Sequence, residues 1–166
     1  MRCRVETSWG PIDFDVEQDR LCACRLPAVG EREATPFRVL PQDAAARPAD
    51  SVLQRQLATF LLALFDGCPA PLPPFHLPAE PPFYRRVWDE LTTVPAGTTV
   101  TYGALARRIG RPGAARAVGR ACGANPLPLI VPCHRVVAAH GKIGGFSSDP
   151  AWKRLLLAAE KAANPL

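Results

Sequence analysis

Apolar and polar positions alternate near the start of the chain. Ile12, Phe14 and Val16 are separated by Asp13, Asp15 and Glu17, the period-two pattern of a strand with one buried face. Gln18-Asp19-Arg20 reads as a turn into a second strand whose Cys22, Cys24 and Leu26 share a face, and Phe37-Arg38-Val39-Leu40 predicts a third strand. The period then changes. Leu53, Leu57, Phe60, Leu61 and Leu64 make one stripe of a helix from about Asp50, a good N-cap, to Phe65.

The second half keeps the helical period. Phe83, Val87 and Leu91 share one face of a helix, and Thr101–Ile109 forms another, stopped by Gly110-Arg111-Pro112-Gly113. Ala114–Ala124 is a third, with Ala114, Ala117, Val118 and Ala121 facing its neighbours and Arg116 and Arg120 on another face. These last two helices read either as a helix-turn-helix or as an ordinary α-hairpin. Asn125-Pro126-Leu127-Pro128 ends the third helix, and Leu129-Ile130-Val131 is a short buried run that delivers Pro132-Cys133-His134. Gly141, Gly144 and Gly145 mark a loop. Asp149-Pro150 opens a final helix, an N-cap followed by proline at the first helical position.

From Pro69 to Pro82 seven of fourteen residues are proline, a density that opposes helix and sheet and predicts an extended linker. The expected organisation is α+β: a β-rich domain with one helix over 1–76, a linker over 69–82, and a mainly helical domain over 83–166. Charge divides at the same place. Residues 1–82 carry eight Lys/Arg against eleven Asp/Glu, and residues 83–166 carry twelve against four. A basic half joined to an acidic one points the second domain toward a polyanion. With 166 residues, 48 % of them hydrophobic, the chain is long enough to bury a core and too apolar to be disordered. No apolar run approaches the roughly 20 residues of a membrane span, and the N-terminus lacks a signal-peptide pattern. The expectation is a soluble cytoplasmic protein, monomeric, with its six cysteines reduced.

Cys133 and His134 are adjacent. A thiol is a strong nucleophile only as thiolate, and a free pKa of about 8.5 leaves little of it at neutral pH. A neighbouring base removes that proton, although side chains next to each other on an extended segment point apart, so the pair needs a turn. Spacing alone is not specific and favours a buried structural cysteine beside an unrelated histidine. Glu160 bears on the choice. The final helix has Trp152, Leu155, Leu156, Ala159 and Ala163 on its apolar face, and Glu160, eight residues after Trp152, falls at the edge of that face. A carboxylate there either snorkels to solvent or finds a partner, and His134 would complete a Cys-His-Glu relay.

Pro132-Cys133-His134-Arg135-Val136 resembles the active-site signature of the O6-alkylguanine-DNA alkyltransferases. Thr101-Tyr102-Gly103 with Leu105-Ala106, then Ala115-Arg116-Ala117-Val118-Gly119, then Asn125-Pro126 resemble the same family in order and spacing. The resemblance covers residues 83 to 162 and implies a ribonuclease-H-like first domain and a helix-turn-helix second domain that enters the minor groove. It implies duplex DNA containing O6-alkylguanine as partner, with O4-alkylthymine a second candidate, no cofactor, and one irreversible alkyl transfer onto Cys133. His134 would be the base, Glu160 its support, and Asn125 a brace for the active-site segment. Tyr102, Val136, Phe146 and Ser147 would line the substrate pocket. Tyr102, Ala115, Arg116, Arg120 and Arg135 would meet DNA, with Arg116 filling the stack after the base is flipped out.

Two features depart from the family. Phe146 stands where many relatives carry tyrosine, and Ser147-Ser148-Asp149-Pro150 replaces a more glycine-rich run. A zinc site from Cys3, Cys22, Cys24 and His76 is disfavoured, because Cys-X-Cys is not the usual pair and Cys22 and Cys24 also fit a buried strand face. Three other functions compete: a lesion sensor of the same fold, whose known examples lack the cysteine; a cysteine hydrolase, which leaves Tyr102 and Arg116 unexplained; and a transcription regulator, for which no effector domain is evident.

Overall fold

The computed structural model describes residues 1–30, 36–40, 52–66, 68, 71–79 and 81–163. The expected alternation builds strands β1 (Arg2–Val5), β2 (Ile12–Glu17) and β3 (Arg20–Arg25), an antiparallel sheet in that order. Cys3, Phe14 and Cys24 sit opposite one another across it. Cys22, however, does not share a face with Cys24. The register slips between Asp15 and Val16, so that Leu21 pairs with Val16 and Ala23 with Asp15. Cys22 is the extra residue of this β-bulge, Leu21 and Cys24 are the buried ones, and the Cys22 thiol reaches the Asp15 carbonyl at 3.3 Å.

The bulge also separates the four residues weighed as zinc ligands. Cys3 and Cys24 are buried on the core face, while Cys22 and His76 border an open groove on the other. Among the described residues no group of three or more His, Cys, Asp or Glu is placed to hold a metal.

Helix α1 (Val52–Phe65) buries Leu53, Leu57, Phe60 and Leu61; its expected cap, Asp50, lies outside the described residues. Phe37–Leu40 contributes only an isolated bridge, Val39 to Thr7, rather than a full strand. The proline-rich segment does more than span. Phe75 bridges Leu21 in parallel, with Leu21 N–H donating to the Pro74 carbonyl and His76 N–H to the Leu21 carbonyl. Phe75, His76 and Leu77 interrupt the prolines and restore the N–H groups that a strand edge needs.

Four helices follow: α2 (Pro82–Thr92), α3 (Tyr102–Arg108), α4 (Ala115–Gly123) and α5 (Pro150–Ala163). Asp149 caps α5 as its sequence predicts, Oδ1 accepting from Ala151 N–H at 2.9 Å. Its other oxygen accepts from Val29 N–H at 2.9 Å, and Trp152 Nε1 donates to the Pro27 carbonyl at 2.7 Å. Trp152 also meets Trp9 edge-on, ring centroids 5.2 Å apart. One helix start therefore fastens the second half of the chain to the first. Strands β4 (Val100–Thr101) and β5 (Val136–Val137) pair in parallel, Thr101 opposite Val137. That pairing brings the start of α3 beside the segment that leaves Cys133. No helix among the described residues is long and apolar enough to cross a membrane.

Candidate active site

Past the end of α4 the chain folds back on itself around Asn125. Its amide nitrogen donates to the Val131 carbonyl at 2.9 Å, and its oxygen accepts from Leu127 N–H at 3.0 Å. These bonds close a loop of buried residues in which Leu129 adopts φ +80, a left-handed conformation costing a leucine about 1–2 kcal/mol. Strain of this size is stored directly ahead of the cysteine. The chain leaves Pro132 as a single 3₁₀ turn, Cys133–Arg135. Successive side chains there step around an axis by about 120° instead of facing opposite ways, which supplies the turn that the Cys-His pair needs.

Cys133 is buried and lines a cavity of about 320 Å³. Tyr102, Phe146 and Ser147 form its wall together with Gly119, Cys122, Gly123 and Gly145. Three of the four expected pocket residues are thus assembled. Val136 is not: it is fully buried in β5 and absent from the lining, because pairing with Val100 turns it into the core. The Tyr102 ring lies between two glycines. A methyl group on Gly119 would meet it at 3.8 Å, and one on Gly144 at 3.3 Å. Arg116 and Arg120 stand exposed on α4, with Ala115 half-buried at its first turn.

His134 is fully buried, its Nε2 2.9 Å from Glu160 Oε1. Glu160, 2 % exposed, does not snorkel. Burial opposes its charge, but the hydrogen bonds from His134 and Arg135 outweigh burial and hold its carboxyl at about 2. Burial, joined by the charges of Arg135 and Lys153, lowers the His134 pKa by more than Glu160 raises it. A neutral imidazole facing an ionised carboxylate must carry its proton on Nε2 and leave Nδ1 as an acceptor. His134 Nδ1 is buried and has no hydrogen-bond partner among the described residues. Burial also pushes the Cys133 thiol up, while a hydrogen bond from Asn125 and the positive charge of Lys153 pull it back down.

Two residues are placed where the sequence reading did not put them. Arg135, expected at the DNA surface, turns inward with its side chain 13 % exposed. Its Nε donates to both Glu160 oxygens at 3.0 and 3.1 Å, its Nη2 to Oε1 at 2.6 Å, and its Nη1 to the Val94 carbonyl at 2.6 Å. The 3₁₀ turn aims it at α5, and a forked donor in reach of a buried carboxylate stays there. Lys153 was missed altogether. It is fully buried, donating to the carbonyls of Val136 at 2.7 Å and Gly145 at 3.0 Å. The signal was present: Lys153 precedes Leu156 by three residues and Glu160 by seven, which is the face that turns inward.

The site sets a buried thiol, on the wall of a cavity, next in sequence to a buried imidazole–carboxylate pair. Residues 82–162 match the model of the 6-O-methylguanine DNA methyltransferase DNA-binding domain. The methylated-DNA–protein-cysteine methyltransferase of Mycolicibacterium paratuberculosis is 52 % identical over 83 residues, half of each chain. The Saccharomyces cerevisiae protein of the same name is 50 % identical over 110 residues, 65 % of this chain and 58 % of that one. In sequence, this chain therefore matches about half the length of such relatives. In structure, the Mycobacterium tuberculosis OGT solved in complex with DNA superimposes with a TM-score of 0.75 at 34 % identity, over 99 % of this chain and 94 % of that one. The O6-methylguanine-DNA methyltransferase of the archaeon Pyrococcus kodakaraensis superimposes at 0.58 and 27 % identity, over 90 % of each. The chain belongs to the methylated-DNA–protein-cysteine methyltransferase family.

Proposed function

We propose that this protein repairs duplex DNA by moving an alkyl group from O6 of guanine onto Cys133, irreversibly and once per molecule. The observation that carries the reading is the thiol on the wall of the 320 Å³ cavity, next in sequence to a buried neutral histidine whose free Nδ1 is an acceptor. A water between Nδ1 and the Cys133 thiol passes the proton to His134, and Glu160 stabilises the imidazolium that results. The thiolate attacks the alkyl carbon in line. The S–C bond forms as the C–O6 bond breaks, and guanine leaves with the electron pair and regains a proton. A thioether has no route back to thiol here, so there is no turnover.

The alkyl carbon lies inside a duplex, beyond reach of a buried thiol, so the base must leave the stack. We assign α3 and α4 as a helix-turn-helix lying in the minor groove, with Arg116 entering the stack and Arg120 and Ala115 close to the backbone. Tyr102, Phe146 and Ser147 receive the flipped base, and Asn125 braces the strained loop that presents the thiol. Residues 1–76, with a ribonuclease-H-like plan, serve as the scaffold on which Trp152 and Asp149 anchor the reacting half. O4-alkylthymine presents the same carbon–oxygen bond and is a second substrate in this reading.

The test is direct. Incubated with a duplex containing O6-methylguanine and digested, the protein should yield a Cys133 peptide heavier by one methyl group, stoichiometric with the guanine restored. Cys133→Ala should bind that duplex and transfer nothing. Binding without any mass change in the native protein would leave a lesion sensor, and methyl transfer surviving in Cys133→Ala would overturn the assignment.

A further inference from the structure

The fork of Arg135 closes over both Glu160 oxygens and shares Oε1 with His134. Together with Gly97 N–H, which donates to Glu160 Oε2 at 3.1 Å, it leaves the carboxylate little freedom to rotate: one oxygen faces His134 and Arg135, the other Arg135 and Gly97. The same guanidinium holds the Val94 carbonyl, so the turn between α2 and β4 is docked onto the back of the relay. We infer that Arg135 is a positioning residue of the alkyl transfer, fixing the Glu160 carboxylate against His134, and that it makes no contact with DNA. The inference rests on His134 being the proton acceptor for Cys133.

A bidentate pair specifies orientation as well as charge. Without it, the clamp on both Glu160 oxygens is lost, and with it the fixed partner that aims His134 Nδ1. The charged groups acting on His134 are Glu160, which favours the imidazolium, and Arg135 and Lys153, which oppose it. Removing Arg135 strips one opposing charge from the balance while Lys153 remains.

The experiment compares native protein with Arg135→Gln and Arg135→Lys. Single-turnover methyl transfer is followed with an O6-methylguanine duplex at saturating concentration, the Kd for that duplex is measured against salt, and His134 is titrated by NMR in the DNA-free protein. In Arg135→Gln, transfer at saturation should slow by about tenfold or more and the His134 midpoint should rise by about one pH unit or more, with Kd unchanged. Arg135→Lys, which keeps the charge without the fork, should restore most of the midpoint and less of the rate. A weaker Kd with a salt slope reduced by about one, and an unchanged saturated rate, would make Arg135 a phosphate contact and overturn the inference. Lower thermal stability with rate and midpoint both native would overturn it too. Failure of the native protein to transfer methyl would sink the proposed function instead, and the DNA-free titration would still decide whether Arg135 governs His134.

Discussion

Glu160 is the residue whose loss should be felt most widely, and the structure sets the size of the effect. Its carboxyl titrates at about 2 in the fold against an ordinary 4.5. Each pH unit of that difference is worth about 1.4 kcal/mol, so ionised Glu160 contributes on the order of 3 kcal/mol to stability. Removing one partner from a buried ion pair costs about 3–5 kcal/mol by independent experience, and Arg135 would be that stranded partner. The sign follows from the direction of the shift. A depressed carboxyl stabilises the fold above its unfolded value and loses that contribution as pH falls toward its folded value, here from about 4.5 down to about 2. Glu160→Gln should therefore be less stable than the native protein by roughly 3 kcal/mol at pH 7, and the gap should narrow steadily below pH 5. Urea denaturation of both proteins at pH 7, 5, 4 and 3 measures it, with the other carboxylates cancelling between the two. A gap of constant size across that range would show that the Glu160 charge is not what the Arg135 and His134 contacts stabilise, and the reasoning about the relay would fail with it.

Two further outcomes follow from the pocket. Gly144 has φ +72, and a Cβ there would lie 3.3 Å from both the Tyr102 ring and its hydroxyl; Gly144→Ala should destabilise by about 1 kcal/mol and slow methyl transfer, whereas Gly119→Ala, at 3.8 Å, should transfer at close to the native rate. Lys153→Met removes the cation that pulls the Cys133 thiol down, so iodoacetamide labelling of Cys133, followed by mass, should shift to higher pH; labelling at an unchanged pH would show that Lys153 acts only through its carbonyl bonds.

Much of the site was legible because its parts are local. The Asp149-Pro150 cap, the proline and glycine stops around α3 and α4, and the inward Glu160 each depend on residues within a turn or two, where spacing and side-chain chemistry suffice. The thiol, its histidine and Asn125 stand within nine residues of one another, so a single motif carries them. The differences between pattern and structure share another cause. Cys22 was assigned to the wrong face because a bulge adds a residue that alternation cannot register. Val136 faces the core and Arg135 turns inward, and neither the β4–β5 pairing nor the aim of a 3₁₀ turn is written in the neighbouring residues.

What the sequence determined by itself is the inventory and the order: a thiol, a histidine, a carboxylate, an asparagine amide and a basic small-residued helix, on elements of the right type. What only the tertiary structure decided is which polar groups face inward together. Burying Glu160, Arg135, His134 and Lys153 is costly for each alone, and it becomes tolerable only when segments far apart in sequence arrive with matching donors and acceptors: Gly97 and Val94 from the α2–β4 turn, Gly145 from the loop, Val136 from β5. Such satisfaction is a property of the assembled set, and no single segment of the chain announces it.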